Sequence, residues 1–285
     1  MGDYKGTPEE WKKEPECLPE EPCSIFFTSG TTGLPKGVLN SHRGFLTNIP
    51  NSTFNRARHN LRIGEPLPKT GPQAPQAVNL IANPLFHVMG TTSFVVVGSA
   101  GGSKLVLMRK WDKVAAARLV EREKVTGLLG VPYMILDLDD DGMSESSRKP
   151  IVGVAFGGAP APSSMLADLK KKFPGALIGE GYGLTETNSV AVNICGPDYT
   201  TRPLTAGLPC PVNDLLIVDE NTLTVLPPGK IGEVWIRGPN VLKCYWKDPE
   251  ATNQAITKDG WFRSGDLGYL DDEGFLYIKD RRKPP

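Results

Sequence analysis

The sequence predicts an α/β protein: central mixed or parallel sheets flanked by helices, followed by a smaller, mainly antiparallel β subdomain. Two patterns carry that prediction. Between residues 79 and 180, short apolar runs alternate with segments of helical pattern, the strand–helix–strand rhythm of parallel crossovers. From residue 205 onward, DLLIVD, GEVWIRG and GFLYIKD are short apolar or alternating runs split by PPGK and DDEG turns. A chain of 285 residues is long enough for this arrangement, and its 31 glycines and 26 prolines point to many ligand-facing loops.

Residues 1–22 carry seven acids against three bases without clear periodicity and read as a polar lead-in. CSIFFT at 23–28 is a short buried strand, and Ser41 in SHRGFLTNI is a helix cap. Residues 51–76, polar and proline-rich, read as a long surface loop. NLIANPLFHV at 79–88 suits a strand ending in a loop, and TTSFVVVGSAGG at 91–102 fits a buried helix or strand equally well. KLVLM at 104–108 is a strand. Residues 111–125 form an amphipathic helix with Val114, Ala117, Leu119 and Val120 on its apolar faces, and TGLLGVP follows as a strand. IVGVAFGG at 151–158 is a strand ending in a glycine turn. Residues 161–174 form a helix with Pro162 near its start and lysines in its last turns, where they complement the dipole. ALIGEGYGLTET at 176–187 runs from strand into loop. The resulting division is a lead-in 1–22, an α/β region 23–204, a β-rich subdomain 205–278 and a hinge-like tail 279–285.

Charge and cysteine content narrow the function. With 32 basic and 32 acidic side chains the net charge is zero, and the one basic run, KDRRK at 279–283, makes no stripe for nucleic acid. Five cysteines without a CxxC pair, and three histidines, argue against a zinc site or a disulfide scaffold, so a cytoplasmic or other reducing intracellular compartment is expected. No run is long enough for a transmembrane segment, and the start lacks the apolar core of a signal peptide.

TSGTTGLPKG at 28–37 gathers glycines and hydroxyl side chains around one lysine, directly after an apolar strand. Glycines let several backbone N–H groups turn toward one point, so the loop suits an anion such as phosphate, although it does not match GxxxxGK[ST]. A flexible surface turn is the plainer alternative on spacing alone.

Four segments in order resemble the signatures of the adenylate-forming (AMP-binding) enzymes, in the acyl-CoA synthetase and coumarate–CoA ligase-like branch. They are TSGTTGLPKGV, GEGYGLTET at 179–187, GEVWIRGPNVLKCYWKDPEAT at 232–252 and DGWFRSGDLGYLDDEGFLYIKDRRK at 259–283. The resemblance implies that Thr28, Ser29, Gly30, Thr31, Thr32, Gly33 and Lys36 embrace the β- and γ-phosphates of ATP. It places Gly158, Ala159 and Pro160 along the adenine, Tyr182 stacked on it, and Gly181 and Gly183 where the chain passes close to nucleotide and acyl group. Thr185 would donate to the α-phosphate and Glu186 would hold Mg2+. Asp266 would accept from the ribose hydroxyls, a task suited to a carboxylate, and Arg281 would reach ribose or phosphate. Lys283 matches the family's hinge. His87 would border the acyl tunnel with Phe86, Met89, Gly90 and Thr91 as pocket neighbours. Glu180 stands where many relatives have glutamine. His42 and His59 receive no role.

The implied activity is ATP-dependent activation of a fatty or aromatic carboxylic acid to an acyl-adenylate, then transfer to coenzyme A in a full-length parent. The acid is ionised near neutral pH, so no general base is needed. In the family, a region precedes the phosphate loop and a C-terminal domain with the adenylation lysine and coenzyme A contacts follows DRxK. The chain therefore reads as a fragment of the large domain, with weak or absent full turnover expected. Amino-acid activation is disfavoured because TTSFVVVG offers no acid to meet an amine. Light emission and a non-catalytic, nucleotide-binding remnant are the remaining alternatives.

Overall fold

In the computed structural model of the chain, residues 16–28, 34–69, 74–138 and 143–281 are described. The expected contacts of Ser29, Gly30, Thr31, Thr32, Gly33 and Lys283 lie outside the described residues.

The chain opens with an antiparallel ribbon, β1 (Pro22–Thr28) and β2 (Lys36–Ser41), in which Thr28 faces Lys36. The ends of the glycine-rich loop are thus pinned opposite one another. Ser41 caps α1 (His42–Leu46) as expected, its hydroxyl accepting from the Gly44 N–H at 3.1 Å. Of the segment read as a surface loop, residues 51–62 belong instead to α2 (Asn48–Arg62), while 63–69 and 74–76 form neither helix nor strand. Its docking face is amide rather than apolar. Asn48 donates to the Asn188 carbonyl at 2.5 Å, Asn51 to that of Val190 at 3.1 Å and Asn55 to that of Ile194 at 3.2 Å, while Arg58 donates to the Asn193 carbonyl at 2.6 Å. The spacing 48, 51, 55, 58 is helical, but it is written in polar residues, which a hydrophobicity pattern does not register.

Next come β3 (Val78–Ile81), a π-helix Met89–Val96 that continues into α3 (Val97–Ala100), and β4 (Lys104–Leu107), so the ambiguous 91–102 segment is helical. In α4 (Lys113–Glu123), Asp112 caps the start by accepting from the Ala115 N–H at 2.8 Å, and a left-handed Lys124 ends it. The helix buries Ala116, Ala117 and Val120, whereas Val114 faces outward. There follow β5 (Gly127–Gly130), α5 (Pro132–Leu136), α6 (Glu145–Arg148), β6 (Gly153–Gly157), α7 (Met165–Lys172) and β7 (Leu177–Leu184). After a 3-10 turn at Thr185–Thr187 come β8 (Ser189–Cys195), α8 (Gly196–Thr201) and β9 (Leu208–Pro209). The last stretch holds β10 (Asp214–Val218), β11 (Gly232–Arg237), β12 (Cys244–Tyr245), α9 (Pro249–Ala255), β13 (Phe262–Leu270) and β14 (Leu276–Arg281).

Among the described residues, three sheets result. The largest has the order β4-β3-β5-β6-β7-β8-β9 and is parallel from β4 to β7, with β8 and β9 antiparallel. Against it, α4 and α7 bury Ala116, Val120, Met165 and Leu169 over Leu128, Val154 and Ile178. The second sheet, β10-β11-β13-β14, is antiparallel throughout, which agrees with the expected change of texture. A third, β1-β2-β12, brings the ribbon against residues far along the chain. No helix among the described residues is long and apolar enough to cross a membrane.

A network of buried amides joins these layers. Asn213 donates to Asn240 at 2.6 Å, Asn240 to the Thr187 carbonyl at 2.9 Å, and Asn193 to the Asn51 carbonyl at 2.9 Å. Asn48 contributes twice, since its Oδ1 also accepts from the Val190 N–H at 3.0 Å. Removing it strands a buried carbonyl and a buried N–H. Asn48→Ala is expected to lower stability by about 1–3 kcal/mol, read as a lower urea midpoint at unchanged slope.

Candidate active site

Two close approaches build the floor of the site. A side chain at Gly157 would lie 2.2 Å from the Gly181 carbonyl oxygen, and one at Gly183 would lie 1.6 Å from that of Ser189. Only glycine lets these backbones meet. The turn beyond β7 forces Asn188 (φ 53°) and Ser189 (φ 96°) into left-handed conformations. Thr187 secures it: its hydroxyl accepts from the Leu184 N–H at 2.9 Å and donates to the Ser189 carbonyl at 2.9 Å. Thr185 and Glu186 are presented from this strained corner, as strain at a functional site leads one to expect.

An open cavity of about 2940 Å3 lies above this floor. Its wall includes Thr28, Lys36, His87, Gly158, Ala159, Pro160, Gly181, Tyr182, Gly183, Thr185, Glu186, Asp266 and Arg281. Every described residue assigned a catalytic or nucleotide-contacting role from sequence therefore meets in one place, drawn from all three sheets. Of the proposed pocket neighbours, Phe86 and Met89 line the cavity, but Gly90 and Thr91 do not. Gly90 lies under the Pro84 carbonyl, where a side chain would come within 2.3 Å, and the Thr91 hydroxyl donates to the Leu85 carbonyl. Both residues fasten the 84–91 turn instead of facing the cavity.

Asp266 is 7% exposed and anchors one side. Its Oδ2 accepts from the Tyr182 hydroxyl at 2.6 Å, and the Arg281 guanidinium lies 3.6 Å from Oδ1. Burial pushes the Asp266 carboxyl above its ordinary range, while the Tyr182 hydrogen bond and Arg281 act in the opposite direction. Burial, with the Asp266 charge, also raises the Tyr182 hydroxyl well above its usual value, so it stays a donor and its ring is held in place. The carboxylate retains lone pairs for a further pair of hydroxyls.

On another side, the Glu186 Oε1 accepts from the Tyr245 hydroxyl at 2.8 Å, and the Lys36 ammonium sits 5.2 Å from the centre of the Tyr245 ring. The sequence reading gave Tyr245 no role. It lay inside a recognised motif, but nothing in the spacing marked it as facing Glu186. The His87 imidazole opens on the cavity and accepts at Nδ1 from the Met89 N–H, 3.2 Å away. That bond leaves the proton of the neutral ring on Nε2, and partial desolvation lowers the ring's pKa, which favours the neutral form.

Glu180 does point into the cavity wall. The buried Tyr199 hydroxyl donates to its Oε2 at 2.7 Å, and burial raises its carboxyl pKa more than this hydrogen bond lowers it. Among the described residues, no group of three histidine, cysteine or acidic side chains is placed to hold a metal ion. A metal here would rely on Glu186 together with oxygens of a bound ligand, a mode natural to Mg2+. Tyr245 engages only one oxygen of Glu186, which fits that use.

The family described as AMP-binding enzyme matches residues 2–246. A 4-coumarate–CoA ligase-like protein of Oryza sativa subsp. japonica is 37% identical over 284 residues, covering 96% of this chain and 47% of the relative. 4-Coumarate–CoA ligase 2 of Nicotiana tabacum is 33% identical over 95% of this chain and 48% of its own length. The chain thus spans about half the length of the curated relatives it matches. Among solved structures, o-succinylbenzoate CoA synthetase of Bacillus subtilis, in complex with its acyl-adenylate intermediate, superposes with a TM-score of 0.78. It is 30% identical, over 96% of this chain and 53% of that one. ATP-bound MatB from Rhodopseudomonas palustris gives a TM-score of 0.75 at 28% identity, over 90% and 47%.

The raised Glu180 pKa has a measurable consequence. The fold favours the protonated carboxyl, so this contribution to stability is complete below the ordinary value of 4.5 and is lost as pH rises through the raised one. Glu180→Gln keeps an acceptor for Tyr199 and never ionises. Its melting temperature is expected to exceed that of the parent at pH 8, with the difference vanishing by about pH 4 in a pH series of thermal melts.

Proposed function

Because the chain belongs to the AMP-binding enzyme family, we propose that its cavity receives ATP beside a carboxylic acid and serves the formation of an acyl-adenylate with release of pyrophosphate. One observation carries this reading: Lys36, Tyr182, Glu186 and Asp266, from distant parts of the chain, line the same cavity. The acyl-adenylate bound in the o-succinylbenzoate CoA synthetase structure and the ATP bound in MatB support it.

In this assignment Asp266 accepts from the ribose hydroxyls, and Tyr182 and the Gly158–Pro160 turn border the base. Thr185 donates to the α-phosphate, and Lys36 reaches the β- and γ-phosphates from the base of its loop. The reaction joins two anions, the carboxylate and the triphosphate. Donors fixed where charge collects on the departing pyrophosphate lower that barrier. Mg2+, held by Glu186 and phosphate oxygens, would supply further charge neutralisation. Neutral His87, with Phe86, Met89, Phe94 and Val97, forms a mostly apolar wall suited to a fatty or aromatic acid. Transfer of the acyl group to the thiol of coenzyme A is the proposed second step in a full-length parent, and a cytoplasmic setting is consistent with the unpaired cysteines.

The test is exchange of labelled pyrophosphate into ATP across a panel of fatty and aromatic acids, run with a full-length parent that carries the adenylation lysine of the family's C-terminal domain. Acid-dependent exchange supports the proposal, and ATP binding without exchange on any acid favours a non-catalytic nucleotide carrier. Lys36→Ala is expected to weaken pyrophosphate use roughly ten- to hundredfold while AMP binding changes little. Asp266→Ala is expected to weaken ATP and AMP alike by about tenfold or more in calorimetric titration.

A further inference from the structure

We propose that Tyr245 is a positioning residue that holds Lys36 and Glu186 apart and aims both at the phosphate end of the cavity. The inference rests on the nucleotide reading given above.

The ring of Tyr245 stands between two opposite charges. Its face carries the Lys36 ammonium at 5.2 Å, within the range of a cation–π contact, and its hydroxyl donates to Glu186 at 2.8 Å. Lys36 and Glu186 make no ion pair with each other. A direct pair would be favourable in a half-enclosed cavity and would neutralise both groups. The lysine would then be withdrawn from phosphate and the carboxylate from a cation. The tyrosine gives each charge a different partner. Among the described residues it saturates neither, since the ammonium makes no hydrogen bond and Tyr245 engages one carboxylate oxygen alone.

The backbone around Tyr245 is tied to both charge carriers. β12 pairs with β2, Tyr245 opposite Val38, and the Trp246 N–H donates to the Gly37 carbonyl at 2.6 Å, next to Lys36. The Leu242 N–H donates to the Glu186 carbonyl at 2.7 Å. The Tyr245 N–H is itself held by the Thr252 hydroxyl at 2.9 Å, and the side chain is 7% exposed. One short segment therefore sets the distance between the root of the glycine-rich loop and the strained corner that presents Glu186.

Two substitutions separate the two contacts. Tyr245→Phe keeps the ring and loses only the bond to Glu186. Tyr245→Leu loses both. The chain is titrated with ATP by calorimetry, once with Mg2+ and once with EDTA, and Mn2+ binding in the presence of ATP is followed by electron paramagnetic resonance. Tyr245→Phe is expected to weaken Mg2+-dependent ATP binding and Mn2+ binding about five- to tenfold, with EDTA binding within about twofold of the parent. Tyr245→Leu is expected to weaken ATP binding in EDTA as well. A merely structural role would move both titrations of the phenylalanine variant together, and that result overturns the proposal. So does an unchanged Tyr245→Phe profile alongside a shifted Glu186→Gln control. If Glu186→Gln and Lys36→Ala also bind as the parent does, the nucleotide reading itself fails, and this inference falls with it.

Discussion

The fold turns on the carbonyl groups of β8 and on the buried amides that answer them. Asn48, Asn51, Asn55 and Arg58 reach the strand from α2, and Asn240 reaches its entry corner from the residues after β11. A buried carbonyl left without a donor costs more than a made bond returns, so each contact is close to obligatory. The apolar layers under α4 and α7 supply the bulk of the burial, but they are indifferent to small slips in register. Directional amide bonds are not. They fix the helix, the large sheet and the antiparallel sheet in one arrangement, and with it the corner that carries Thr185 and Glu186.

Much of this was readable in the residues. The parallel strands announced themselves as short apolar runs, α4 by its alanines and apolar faces, and the antiparallel sheet by its turns. What was hidden shares one cause, a departure from apolar periodicity. The helix α2 docks through asparagines and so resembled a loop. β13 follows a bulge at Glu233 and Trp235 of β11 and carries Ser264, Gly265 and Asp266, a string that reads as a ligand motif before it reads as a strand. β8 is entered through two left-handed residues, Asn188 and Ser189, that no hydrophobic pattern foretells.

The site followed the same division. Residues inside recognised motifs, among them Lys36, Tyr182, Glu186 and Asp266, were singled out from sequence, and they line one cavity. Contacts between side chains far apart in sequence were not visible: Tyr245 to Glu186, Tyr182 to Asp266 and Tyr199 to Glu180. All three join a tyrosine hydroxyl to a carboxyl group across at least 19 residues, and a linear string does not report such distances. Gly90 and Thr91 erred in the opposite direction, since proximity in sequence to His87 suggested a shared surface that the tight 84–91 turn denies them.

The cavity wall is divided by type of support. Tyr182, Asp266 and Arg281 sit on hydrogen-bonded strands, whereas Phe86, His87 and Met89 sit on a turn and the start of a π-helix. Strands resist small shifts because every neighbour must follow. A turn and a widened helical coil absorb altered side-chain size locally. The molecule thus separates a conserving half from an adaptable half, and on the proposed reading new acids can be recruited through changes around residue 87 without retraining the grip on the nucleotide.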